Sequence, residues 1–357
     1  LTLGSINAGT GRVYLQAIGA RCCIGSSDTD AASSTNRNAI GTRVTTLAAQ
    51  SSTGIYIQEA DGVTIDLVNV SVDRVNFNST KTTQSQTLED LTTTNNGPVK
   101  LQSLTGNIVV NPGTTGSNGI SANGTGDILL QALAGNITSN AVIASGTGNI
   151  TLDVSGILTT NAGIQTSGSG SIYLASGSNA TIQSITTGGG DLQILSGDGL
   201  TLGSINAGTG RVYLQATNDI QDSDALSNST NVTASALAMR AGGKIGNSDT
   251  GAASSTNRNA IGTRVTTLAA ESATGIYVQE ADGVTIDLVN VSVNRVNFNS
   301  TKTAQSQTLE DLTTTNNGPV KLQSLTGNVV INAGTEGTNG ITAHSSGDIL
   351  LQTLTSG

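Results

Sequence analysis

The sequence predicts an all-β protein, a right-handed parallel β-helix (solenoid) with about 22 residues and three short strands per coil and roughly 16 coils. Three observations lead there. A Gly-x-Gly turn, a polar residue and an alternating aliphatic triplet recur with the second glycine at Gly126, Gly148, Gly170, Gly190 and Gly210, spacings of 22, 22, 20 and 20. On a longer scale, residues 1–17 (LTLGSINAGTGRVYLQA) return unchanged as residues 200–216. Finally, the 357 residues include 45 Gly but no Trp, 2 Phe and 5 Tyr, too few large side chains to fill a wide two-layer core. A narrow core built by repetition is the alternative.

The triplets after the turns begin at Ile128, Ile150, Ile172, Leu192 and Val212, and each reads apolar-x-apolar, a strand with one buried face. Two shorter apolar pieces, such as residues 135–138 and 141–144, complete each unit. Inside, Ile128, Leu130, Ile137 and Val142 are expected to stack on Ile150 and Leu152, and these on Ile172 and Leu174. A left-handed solenoid would show a hexapeptide rhythm, which is absent. At a rise of ~4.8 Å per coil the predicted rod is roughly 75–80 Å long.

One continuous solenoid is expected over residues 1–357, with a first long copy at 1–199 and a second, truncated copy at 200–357. After residue 17 the two copies lose register. The match resumes at Ser33 and Ser254, an offset of 221 instead of 199, so the second copy carries 22 extra residues, 217–238. That length reads as one extra coil. A slip of one residue would exchange inside for outside, whereas a whole coil leaves every face in phase. The 29-residue steps from Gly97 to Gly126 and from Gly318 to Gly347 imply loops near 113–119 and 334–340. Val63 to Phe77 alternates with a phase shift at Leu67 and Val68, expected where a strand rounds a corner, and residues 79–86 read as a surface excursion.

The net charge of −9 comes from 24 acidic and 15 basic residues scattered singly, so a nucleic-acid partner is not expected. No apolar run approaches the ~18 residues of a membrane span, so membrane insertion is not expected either. Cys22 and Cys23 are adjacent, which supplies neither a disulfide framework nor a CxxC spacing. His344, the single histidine, faces Asn123 in the first copy and lacks a second ligand at known spacing. Asp219, Asp222 and Asp224, and the pair Asp28 and Asp30, are candidate calcium ligands but follow neither the EF-hand order nor the GGxGxD nonapeptide. No cofactor is expected. Asp61, Asp66 and Asp73, with counterparts Asp282, Asp287 and Asn294, are the candidate carboxylates for glycan chemistry; the competing reading is exposed positions on an acidic surface.

All five tyrosines, Tyr14, Tyr56, Tyr173, Tyr213 and Tyr277, sit between two aliphatics. If the aliphatics point inward, the rings point outward, in a column shared with Lys100, Leu129, Thr151, Gln193, Lys321 and Leu350. Such a column suits lateral packing on a neighbouring rod, or stacking on sugars.

GDILLQALAGNITSN at 126–140 and ALAMRAGGKIG at 236–246 resemble the shaft repeats of large bacterial exoproteins of the filamentous-haemagglutinin type. The resemblance implies an extracellular or cell-surface rod used in adhesion and carries over no catalytic residue; the family's Asn-Pro-Asn-Leu secretion signature does not occur. The combined expectation is a non-enzymatic structural and adhesive shaft of a giant repetitive bacterial surface or secreted protein. Its partners would be copies of itself, end to end or laterally, and host or matrix glycans. The alternative is a carbohydrate-active β-helix, such as a polysaccharide lyase or a phage tailspike. Leu1 opens inside a repeat and Gly357 closes inside a coil, which leads to the expectation of end-to-end continuation.

Overall fold

Alternating aliphatics put every second side chain on one face of a strand, and in the computed structural model these faces stack in register. The structure describes residues 5–7, 14–17, 23–27, 38–224, 229–249, 258–335, 337 and 339–354. Among them the only regular elements are strands, nearly all paired in parallel, a β-helix-like arrangement. The chain groups into two compact units: Leu1–Gly156 with Asn161–Gln165 and Val296–Thr303, and Ile157–Thr160 with Thr166–Arg295 and Ala304–Gly357.

In the first unit three inward columns form. Ile55, Val99, Ile128 and Ile150 pair successively, as do Val63, Ile108 and Ile137, and Ala49, Leu91, Ile120 and Ile143. The second unit repeats the scheme with Ile172, Leu192, Val212, Leu237 and Leu268 in one column and Ala180, Leu200, Ile220, Ile245 and Ile276 in another. These side chains are buried, each contributing about 1.5–3 kcal/mol if aliphatic and large. One expected core residue differs: Ile143 fills the column and its neighbour Val142 is only half-buried, because the register shifts between Asn118 and Ile120 of the paired strand.

The periodic glycines follow from how closely the turns approach. A Cβ on Gly126 would lie 2.3 Å from the carbonyl oxygen of Gly97, and one on Gly148 would lie 2.1 Å from that of Gly126. No side chain fits there. A hydroxyl at the end of the preceding strand closes each turn: Thr93 donates to the carbonyl of Gly97 at 2.6 Å and Ser103 to that of Gly106 at 2.8 Å, both side chains buried.

The 22 extra residues of the second copy appear as one additional rung in two columns and bring Ile220 into a third. Ile205 pairs with Val232 and Val232 with Thr263; Leu214 pairs with Met239 and Met239 with Ala270; Ile220 pairs with Ile245 and Ile245 with Ile276. In the first copy the corresponding Ile6 and Thr42, and Leu15 and Ala49, pair directly; Ile24 and Ile55, the counterparts of Ile245 and Ile276, pair in both copies, and Ile220 is the residue of this column that lies within 217–238.

Two segments leave the winding. Val68–Val75 turns back and pairs antiparallel with Lys81–Leu88, and Val289–Val296 with Lys302–Leu309 makes the equivalent two-stranded sheet. The phase shift at Leu67 and Val68 is therefore not a corner but the point where the chain departs, and the surface excursion expected at 79–86 is the tip and return strand of a hairpin arm, exposed throughout. Because Ile55 pairs with Val99, that 44-residue step holds one rung plus the arm. Dividing length by 22 therefore overstates the number of rungs.

Deleting residues 217–238 is expected to leave a cooperatively folding protein with a midpoint shift below roughly 5 °C, since two columns close on pairings already present in the first copy and the Ile245–Ile276 pairing is kept. Deleting ten of those residues should abolish the cooperative transition in a circular dichroism melt. Equal behaviour of the two deletions would contradict a 22-residue rung.

Candidate interaction face

The outward residues opposite the inward columns form columns of their own. In the first unit Tyr56, Lys100, Leu129 and Thr151 are register neighbours; in the second, Tyr173, Gln193, Tyr213, Ala238 and Ala269 are, and so are Tyr277, Lys321 and Leu350. Outward does not mean exposed. Tyr213 is 1 % exposed and Tyr173 8 %, and Gln193 is fully buried with neither amide atom hydrogen-bonded.

The cover is the second arm. In the second unit Val289, Val291, Val293 and Leu309 pack in one cluster with Tyr173, Tyr213, Ala236, Ala238 and Ala269. The guanidinium of Arg211 donates to the carbonyl of Asn290 at 2.9 Å, the Asn294 N–H to the Ser171 hydroxyl at 2.8 Å, and Arg295 lies 6.0 Å from the centre of the Tyr173 ring. Two tyrosines expected to meet a neighbouring rod or a glycan thus meet the chain's own valines.

In the first unit the arm's tip is seated by a lysine. Lys100 is 1 % exposed and its ammonium donates to the carbonyls of Asn297 at 2.6 Å and Phe298 at 3.1 Å and to the Ser300 hydroxyl at 2.9 Å. Burial lowers its pKa to about 8 against the opposing pull of Asp127, so at neutral pH it remains mostly the cation that makes these three bonds. Val296 and Phe298 cluster with Leu129, and Lys302 pairs with Asp127 at 3.2 Å. Burial likewise raises the Tyr56 phenol, whose ring lies 5.8 Å from the Lys100 ammonium. Tyr14 is half-buried, and its hydroxyl donates to Gln16 at 2.7 Å. Tyr277, 8 % exposed, carries Lys321 at 5.7 Å from its ring.

The candidate carboxylates separate into different local roles. Asp61 pairs with Arg43 at 3.3 Å and Asp282 with Arg264 at 3.1 Å. Asp66 ends a ladder of amides, in which Asn161 donates to Asn140, Asn140 to Asn111 and Asn111 to Asp66 at 3.0 Å. Asp287 takes the matching bond from Asn332 at 2.7 Å. Asp73 sits on the first arm with Thr83 and Lys81, and Asn294 on the second. The calcium candidates hold neighbouring donors: Asp219 accepts the Lys244 N–H at 2.7 Å, and Asp222 accepts from Asn231 at 2.7 Å and from the Asp224 N–H at 3.0 Å. Among the described residues no three His, Cys, Asp or Glu side chains gather as a metal site. Asp28, Asp30 and Cys22 lie outside the described residues, and Cys23 is a free, half-buried thiol. His344 is exposed, its N–H bonded to Thr314 as the Asn123 N–H is to Thr93.

Sequence reasoning missed the arms' apolar face and also two acids. Glu59 and Glu280 are fully buried, Glu280 accepting from the Thr263 hydroxyl at 2.6 Å and the Val265 N–H at 3.2 Å. In QEADG, a turn-like sequence, they look solvent-exposed. Burial raises both, Glu280 to about 7, outweighing the hydrogen bonds that favour the anion.

A carboxyl with a raised folded-state pKa stabilises most below its unfolded value of 4.5, and that contribution falls as pH climbs to about 7. In urea titrations Glu280→Gln should remove a loss on the order of 3 kcal/mol between pH 4.5 and 7. A variant with the same pH slope as the parent would refute the buried-acid assignment.

Comparison of the chain with family models, with curated proteins and with solved structures finds no match.

Proposed function

We propose that the chain is a non-enzymatic structural and adhesive shaft, part of a giant repetitive bacterial surface or secreted protein that acts outside the cell and forms a fibre. The strands wind right-handed, the prevailing sense for parallel crossovers, with a basic coil of about 22 residues and three short strands. Residues 1–199 and 200–357 are then two copies of one continuous solenoid, the second longer by one whole coil at 217–238. Copies of itself are the first partner, and host or matrix glycans the second, through the outward tyrosines that remain partly accessible.

The observation that carries this reading is the addition of one rung in two columns between otherwise matching copies, over a length of 22 residues. A shaft tolerates gain or loss of a rung, because each contacts only its neighbours. A catalytic cleft, which needs groups held within about 0.5 Å, does not. The paired and laddered state of Asp61, Asp66, Asp282 and Asp287 supports the same side.

Incubation with polygalacturonate, alginate and hyaluronate is expected to release neither unsaturated products absorbing in the ultraviolet nor new reducing ends. Turnover that disappears in Asp61→Asn or Asp282→Asn would replace the shaft with the carbohydrate-active reading.

A further inference from the structure

The second unit carries a cleft at the root of its arm. Its floor is one outward column, Arg211, Ala236 and Thr267, register neighbours in three successive rungs, and its wall is residues 288–290, where the chain leaves the winding. Ala236 places a single methyl between two longer side chains, so the column dips there and leaves a volume of about 410 Å³ beside the arm. That is within the range of about 300–1,000 Å³ that small ligands occupy. The rung that makes the dip is the one the second copy adds. Ser235, at the edge of the cleft, and Ala236 both lie within the 22 extra residues 217–238. In the first copy Leu15 pairs straight with Ala49, the counterparts of Leu214 and Ala270, and no strand stands between them.

The lining is polar, and its single charge is a cation. The guanidinium of Arg211 makes one hydrogen bond, to the Asn290 carbonyl at 2.9 Å, which ties it to the arm; among the described residues its other N–H donors have no partner. Thr266 and Asn290 are exposed, Thr267 is half-buried, and Leu288, 39 % exposed, adds a small apolar patch. The carboxylates bonded to the same stretches of backbone are engaged. Asp191 accepts the Arg211 N–H at 2.8 Å, and Asp287 accepts the Leu288 N–H at 2.7 Å and the Asn332 amide at 2.7 Å.

We propose that this cleft binds a hexuronate residue of an acidic polysaccharide, its carboxylate held by Arg211, its hydroxyls by Thr266, Thr267 and the Asn290 amide, and the C–H face of its ring by Leu288. The chemistry of the lining favours this occupant. A guanidinium already anchored on one side offers its remaining fork to a carboxylate, the geometry in which arginine binds most strongly. Hydroxyls and an amide both donate and accept, as sugar hydroxyls require. This deepens the glycan part of the shaft reading and rests on it, with the site moved from the tyrosines to the rung that distinguishes the second copy.

The test titrates the full chain calorimetrically with trigalacturonate, with trimannuronate and with the methyl ester of each. At least one acid is expected to bind, and its uncharged ester roughly tenfold or more weaker. Arg211→Gln should weaken the acid to the level of the ester. Thr267→Val, which leaves the tie between Arg211 and the arm in place, should cost about threefold, the share of one neutral hydrogen bond. The 217–238 deletion, which removes the floor, should bind neither form. No binding by any of the four probes, or equal affinity for acid and ester, would overturn the proposal. Binding indifferent to Arg211→Gln and to the deletion would overturn the cleft while leaving the glycan part of the shaft reading intact; cleavage of a bound acid would overturn the shaft and leave the cleft's ligand standing.

Discussion

A parallel backbone ladder sets each residue directly over its counterpart in the next rung, and that single constraint governs the rest of the molecule. A column must keep one kind of residue along its length, because whatever one rung presents must pack on the next. Aliphatics persist inward, glycines persist where turns come within van der Waals contact, and amides persist where Gln58, Gln102 and Gln131 donate in series to Asp153. Residues can enter or leave only as a whole rung or as an excursion that returns to its starting point. Both occur, in the 22 residues that lengthen the second copy and in the two arms.

The rung-to-rung order was legible because it is written in local chemistry. Alternation gave the inward faces, and the glycine spacing of 20 to 22 gave the rungs. What stayed hidden depends on distant partners. The valines of 68–75 alternate as any strand with one apolar face does, and nothing local says whether that face belongs to the solenoid or to an arm. The outward direction of Tyr173 and Tyr213 could be read from their aliphatic neighbours, but their burial depends on Val289, Val291 and Val293, which lie 76 or more residues away in sequence. Glu59 and Glu280 were invisible for a similar reason: the hydroxyls of Thr42 and Thr263 that make their burial tolerable come from the preceding rung.

The outward columns change meaning once the arms are placed. A row of tyrosines on bare strands suggests an adhesive stripe. Covered by valines in the second unit, Tyr173 and Tyr213 form an internal joint, used by the chain on itself. The exposed valines of the first arm have the chemistry of that joint. Near-identical arms are thus buried in one place and exposed in the other, with no change beyond two residues.

The central claim is that surroundings, and not sequence, decide the state of the two arms. Amide hydrogen exchange of the dilute monomer, following residues 68–88 and 289–309 by mass spectrometry, tests it most directly. The intrinsic rates of the two peptides are nearly equal, so the account predicts exchange of the 289–309 arm slower by roughly a hundredfold or more, with residues 296–300 protected through Lys100. Equal exchange of the two arms would contradict it.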